Sequence, residues 1–337
     1  MKSSNSRQVT LHDVAKRAGV TYQTVSRVIN ERPDVAPETR ERILKLIAEM
    51  GYRPNRAAQS LVSRRTYTLA VVTYSLSEYG PARIVISIEQ TAKQAGYDLI
   101  FSNIVDLSQQ HLHDTIHKLG RWQVDGILLF TPVVGNQYKE FVDVAGNTPI
   151  VQIDASLGAN IPSVLIDQYH GSQELTQHLI DLGHRNICEI SGPLNWFGAA
   201  ARHDGWRETM LAHGLDVSGS VKGDWTAASG YQAALSLLAN RSFTALVVGN
   251  DQMALGAIRA LHAQGIQVPE DVSITGFDDI PDCAYYEPPL TTVRQEFDML
   301  GQLGVTYLIE RIEHPDTSIE QRIIPTTFIQ RLSTAPR

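Results

Sequence analysis

The sequence predicts a small all-α helix-turn-helix head joined to an α/β core of two lobes. Three observations point there. Residues 9–30 read as two short helices around a glycine turn. Charge divides the chain: of 29 Lys and Arg and 36 Asp and Glu, residues 1–65 hold 13 and 6, leaving 16 and 30 for residues 66–337. The whole-chain net of −7 therefore hides a head of +7 and a body of −14. Beyond residue 66, short apolar runs alternate with helical patterns, as parallel sheets with crossover helices require.

Thr10 has the type and place of an N-cap, with Asp13 three residues on as its capping-box partner. Val14, Ala15 and Ala18 pack inward, and Gly19 ends the helix where a left-handed residue is usual. Thr21 caps the second helix, whose core side is Val25, Val28 and Ile29 and whose other side shows Tyr22, Gln23, Ser26 and Arg27. Those types suit DNA: Gln pairs bidentately with adenine, Arg with guanine, and Ser and Tyr with phosphate oxygens. A third helix starts at Pro37 and runs to Met50, with Ile43, Leu44 and Ile47 as its buried stripe and Gly51 as its stop. Pro54 breaks the pattern, Asn55 caps a short piece over residues 56–62, and the polar run 63–66 marks a boundary. These breaks divide the chain into residues 1–53, which carry the DNA-reading helix, a short connecting piece over 54–66, and the α/β body over 67–337.

In the body, strands are expected over 69–74, 97–103, 126–130, 148–153, 163–166, 186–190, 245–248 and 272–276. Helices are expected over 84–95, 109–119, 171–182, 200–213, 229–238 and 253–264. These are too many strands for one small sheet, hence two lobes, with ligand bound beyond strand carboxyl ends in the cleft between them. Asp154, Asn250 and Asp278 fall near such ends, and Arg202 near a helix start. Carboxylates, an amide and a guanidinium complement vicinal hydroxyls, and Trp225 or Phe297 offers an aromatic face to a sugar ring, but each of these residues taken alone caps a helix or binds a loop just as readily.

No apolar run approaches the roughly 20 residues of a membrane span, and the polar start suggests no export signal, so a cytoplasmic protein without membrane contact is expected. Cys188 and Cys283 lack metal-ligand spacing and are expected to be reduced. Catalysis is not expected. Asp278 and Asp279 are adjacent on a loop, no phosphate-cradling loop or nucleophile elbow occurs, and His111 and His113 do not share a helix face. No cofactor or metal is implied.

Residues 9–30, 52–56, 201–206, 223–225, 250–256 and 288–292 resemble the LacI/GalR family of transcriptional regulators, over essentially the whole chain. The resemblance implies a core like the periplasmic sugar-binding proteins and a homodimer on double-stranded, pseudo-palindromic operator DNA. It implies release of that DNA when a small molecule fills the core. Thr10, Tyr22, Gln23, Ser26, Arg27 and Asn30 then contact DNA, the triple Tyr22, Gln23 and Arg27 choosing the bases. Asn55, Arg56, Ala58, Gln59 and Leu61 belong to a hinge that pairs in the minor groove, with Leu61 as a wedge between base steps and small Ala58 allowing close helix approach. Asp154, Arg202, Trp225, Asn250, Asp278 and Phe297 match the effector positions.

The chain departs from the family member it most resembles at Trp196 and Gly198, at Phe130 in place of an amide, and at Ile166 in place of an aromatic. One end of the pocket is thus less polar. A sugar, first of all a galactoside, is the expected inducer, with another sugar or a purine corepressor as the alternative. No leucine heptad follows residue 328, so a dimer and no tetramer is expected.

Overall fold

A computed structural model of the chain describes residues 9–29, 32–52, 65–74, 76–104, 109–131, 136–240 and 242–337. They form two compact units, one within residues 1–66 and one within 67–337.

The first unit is three helices: α1 (Leu11–Ala18), α2 (Tyr22–Ile29) and α3 (Pro37–Met50). The Thr10 hydroxyl accepts from Asp13 N, and the Asp13 carboxylate accepts from Thr10 N at 2.9 Å, which closes the capping box. Gly19 takes φ 65°, the left-handed turn between α1 and α2. Val14, Ala15, Ala18, Val25, Val28, Ile43 and Tyr52 form the core. The expected α3 stripe needs one correction: Leu44 is 49% exposed, and Leu46 packs with Ile43 and Ile47 instead. The inward positions 43, 46, 47 and 50 follow the three-then-four spacing of a helix, which 44 breaks.

The second unit holds two parallel sheets. Its elements are β1 (Thr68–Tyr74), α4 (Tyr79–Gln94), β2 (Asp98–Ile104), α5 (Gln109–Arg121), β3 (Gly126–Phe130), α6 (Asn136–Ala145), β4 (Ile150–Ile153), β5 (Ser163–Ile166), α7 (Gln168–Asp181), β6 (Ile187–Ser191), α8 (Phe197–Ala212), β7 (Ser220–Lys222), α9 (Ala227–Asn240), β8 (Ala245–Val248), α10 (Asp251–Ala263), β9 (Ser273–Thr275), β10 (Thr292–Arg294), α11 (Phe297–Glu313), β11 (Gln321–Ile324) and β12 (Thr327–Ile329).

The first lobe is a six-stranded sheet in the order β11-β5-β4-β3-β1-β2, and the second is a four-stranded sheet, β7-β6-β8-β9. Strand β1 shows why the first sheet is covered on both faces. Leu69 and Val71 pack with Ile84 and Ile88 of α4 and with Leu300 and Leu308 of α11. Ala70 and Val72 pack on the other face with Ile116 of α5 and Phe141 of α6. A two-residue side-chain period with both sides apolar gives an unbroken apolar run. The chain enters the second lobe after β5 and returns through α11, which packs on β3, β4 and β5. In both sheets the order reverses beside the first strand, at β1/β3 and at β6/β8. Ligands bind beyond the carboxyl ends of strands at such switch points.

Helix α4 begins five residues before the expected start. Gly80 and Pro81 fall in its first turn, where Pro is tolerated because its missing N–H has no intrahelical partner. Helix α11 was not expected at all. Its apolar pattern is interrupted by Gly301 and Gly304, and a Cβ at Gly301 would lie 2.7 Å from Ser87 Cβ and 2.9 Å from the Ile84 carbonyl of α4. Close helix packing demands the residues that weaken the helical signal. Helix α6 and the short strands β7 and β10–β12 were also unforeseen. Cys188 and Cys283 are buried and free. Among the described residues no helix is long and apolar enough to cross a membrane.

Candidate effector cleft and DNA-reading helix

Helix α2 turns Val25 and Val28 into the head's core and leaves Tyr22, Gln23 and Arg27 exposed on its other side, with Ser26 half-buried. Thr21 Oγ1 accepts from Thr24 N at 3.2 Å and so caps it. Two neighbours were not anticipated. The Tyr22 ring lies 5.0 Å from His12 of α1, and Arg27 reaches Asp34 at 3.2 Å with both side chains more than half exposed. Thr10 is engaged in its capping box. Asn30, Asn55, Arg56, Ala58, Gln59 and Leu61 lie outside the described residues.

All six expected effector residues, Asp154, Arg202, Trp225, Asn250, Asp278 and Phe297, line one cleft in the second unit. The cleft lies beyond the carboxyl ends of β4, β8 and β9, and Arg202 projects from the first turns of α8. Three of these residues have left-handed backbones: Asp154 at φ 59°, Trp225 at φ 78° and Asp278 at φ 118°. Such conformations persist only where the surroundings over-determine them, and they cluster at binding sites.

Two glutamines that the sequence reading missed complete the polar end. Arg202 Nε donates to Gln168 Oε1 at 2.8 Å, and Gln168 Nε2 donates to Gln295 Oε1 at 2.6 Å. Gln295 Nε2 donates to Asp278 Oδ1, which lies 3.6 Å from Arg202 Nη1. The four side chains close a ring. Arg202 also donates to the Gly249 carbonyl and stacks over Phe277 at 4.1 Å and Trp225 at 5.5 Å. Gln168 opens α7 just after β5, and Gln295 sits just after β10. Placement at a strand's carboxyl end was the signal available for both.

Asn250 has two tasks. Its Oδ1 accepts from Met253 N at 2.9 Å, capping α10, and its Nδ2 donates to the Trp225 carbonyl at 3.1 Å. The Trp225 ring lies on Gly192, where any Cβ would come within 2.1 Å of it. A Cβ at Gly80 would likewise lie 2.9 Å from Phe297, so glycine admits that ring. Phe130, Ile166, Ile84, Pro81 and Leu300 add apolar lining.

Burial pushes the Asp154 carboxyl up to about 6, against the pull of the Arg202 cation and the Gly198 N–H. Burial also raises Asp278, opposed by Arg202 and by the Gln295 hydrogen bond. Behind it, fully buried Asp251 is raised by burial and by the neighbouring Asp278 charge. Asp251 accepts from Ile280 N at 2.8 Å and Thr292 Oγ1 at 2.6 Å, so it ties loops together and is closed to ligand.

Residues 10–55 match the model of the bacterial regulatory proteins of the lacI family, and residues 176–334 match the periplasmic binding protein-like domain. The lactose operon repressor of Escherichia coli K12 is 35% identical over 97% of this chain and 91% of its own length. The chain belongs to the LacI family. This LacI-family chain also superposes on the lac repressor dimer bound to operator and the anti-inducer ONPF, with a TM-score of 0.91 at 34% identity, covering 98% of this chain and 100% of that one. The regulator CelR in complex with cellobiose matches with a TM-score of 0.72 at 32% identity, covering 97% and 100%. This LacI-family chain is therefore a DNA-binding transcriptional regulator with an effector-binding domain, and the family is one of regulators, not enzymes. The periplasmic-binding-protein-like core expected from the sequence is present.

Proposed function

We propose that this chain represses a sugar-utilisation operon, binding double-stranded operator DNA as a homodimer in the cytoplasm and releasing it when a sugar, first of all a galactoside, fills the cleft. Residues 1–53 read the DNA through Tyr22, Gln23 and Arg27, residues 54–66 form the hinge, and residues 67–337 bind the inducer and pair with a second copy. The observation that carries this reading is the ring of Arg202, Gln168, Gln295 and Asp278 beside the Trp225 indole. Its donors and acceptors alternate as vicinal hydroxyls do, and the indole covers the C–H side of a pyranose. Melting the protein with a panel of sugars and purines tests it. A sugar at 100 times its Kd raises stability by about 2.7 kcal/mol, read as a rise of several degrees. A purine that shifts the transition while every sugar fails contradicts the reading.

The raised Asp154 carboxyl gives a pH signature. Burial favours the neutral acid, whereas a sugar hydroxyl donating to the carboxylate favours the charged form. Sugar binding therefore expels a proton, and affinity rises as pH climbs through about 6. Titrations at pH 5 and pH 7.5 are expected to show weaker binding at the lower pH. Asp154→Asn is expected to reduce that difference, leaving the part contributed by Asp278, which burial also raises; a pH slope of the same size in the variant would assign it elsewhere.

A further inference from the structure

The DNA-reading helix carries a contact that reading bases does not require. Helix α2 has one charged side chain, Arg27, in its last turn. Its Nη1 lies 3.2 Å from the Asp34 carboxylate, and the two side chains are 54% and 55% exposed. The turn that follows the helix puts the carboxylate there. Arg32 N donates to the Arg27 carbonyl at 2.9 Å, and the Arg40 guanidinium of α3 donates to the Arg32 carbonyl. Pro33 has a fixed φ, and Val35 packs on the head's core. These ties hold residues 32–35 against the end of α2 and bring Asp34 alongside Arg27.

Stability is a poor reason for this arrangement. A carboxylate beside the last turn of a helix meets the negative end of the helix dipole, and an exposed ion pair returns little. The effect on DNA is more direct. A carboxylate presents acceptor oxygens to the arginine fork, as guanine O6 and N7 or a phosphate do. Asp34 and nucleic acid therefore want the same donors, and Asp34 is always at hand.

We propose that Asp34 is an intramolecular competitor of DNA for Arg27, and that it sets operator affinity below what α2 alone would give. On the operator the guanine edge displaces the carboxylate, and the free energy of the ion pair is subtracted from that of the base contact. This rests on the reading of Arg27 as a base contact and adds a residue, outside the reading helix, that tunes it.

The probe is a duplex selected from a randomised pool by the unaltered chain. Its affinity is measured at low salt for the full chain, for Asp34→Asn, for Arg27→Ala and for the double variant. Asparagine keeps the shape and the turn preference of aspartate and removes only the charge. Asp34→Asn is expected to bind the duplex about two- to fivefold tighter, the range that exposed ion pairs contribute. In the Arg27→Ala background the same change is expected to alter affinity by less than about twofold, so that the cycle isolates the pair. The gain is expected to shrink as salt rises, because an exposed pair is screened. Weaker or equal binding by a folded Asp34→Asn overturns the proposal. So does a gain of the same size without Arg27, which would mean that the carboxylate acts on the phosphates directly. If Arg27→Ala alone leaves affinity for the selected duplex unchanged, the base-contact reading falls, and this proposal with it.

Discussion

Replacing Arg202 with leucine is expected to abolish the response to effector and to lower the melting temperature of the effector-binding unit. The guanidinium is the hub of the cleft: it donates to Gln168 and to the Gly249 carbonyl, lies 3.6 Å from Asp278, and stacks on Phe277. Arg202 and Asp278 expose only 12% and 11% of their side chains. Removing one member of a buried ion pair leaves the other charge uncompensated, at a cost of about 3–5 kcal/mol. Part of that cost is avoided because Asp278, already raised by burial, takes up a proton. A protonated Asp278 no longer offers a charged acceptor to the ligand. Effector affinity is therefore expected to fall by at least about 100-fold, since a lost charged hydrogen-bond network of this kind exceeds 2.7 kcal/mol. Operator binding by the folded variant is expected to persist and to become insensitive to effector. Calorimetry for the ligand and melting for the fold read the two effects separately. Ordinary effector affinity in Arg202→Leu would remove the ring from the binding site.

Arg27→Ala is expected to weaken specific DNA binding by about 1–3 kcal/mol, the value of one bidentate base contact. The ion pair to Asp34 does not stand in the way. Both side chains are more than half exposed, and pairs of that kind contribute at most about 1 kcal/mol, so a guanine edge displaces the carboxylate readily. The buried side of α2 is untouched, so the head should melt as before. Competition binding on operator and on random duplex checks the assignment. A base-reading Arg27 loses affinity on the operator and little on random sequence, whereas equal losses on both would make it a phosphate contact.

What could be read from the sequence was what local chemistry dictates. The capping box at Thr10 and Asp13, the left-handed Gly19 and the inward Val25 and Val28 all follow from residue types at short spacing, and they recur in the structure. The polar residues Asp154, Asn250 and Asp278 were legible because short apolar strands deliver them to one edge. What escaped depends on contacts distant in sequence. Helix α11 is masked by the glycines that α4 and β4 require of it. Gln168 and Gln295 stand 127 positions apart, and only the fold turns two ordinary amides into halves of one ring. Leu44 was misplaced because neighbouring apolar residues on α3 compete for one stripe, and packing against α1 and α2 decides among them.

We propose that filling the cleft loosens the grip on DNA. Operator affinity measured with and without a saturating sugar, chosen as one that raises the melting temperature, tests it most directly. Coupling between two sites of this kind is typically about 1–3 kcal/mol and reciprocal. The sugar should therefore weaken operator binding by roughly five- to 150-fold, and operator DNA should weaken sugar binding by the same factor. Operator affinity that is unchanged or strengthened when the cleft is full would rule out induction by this route.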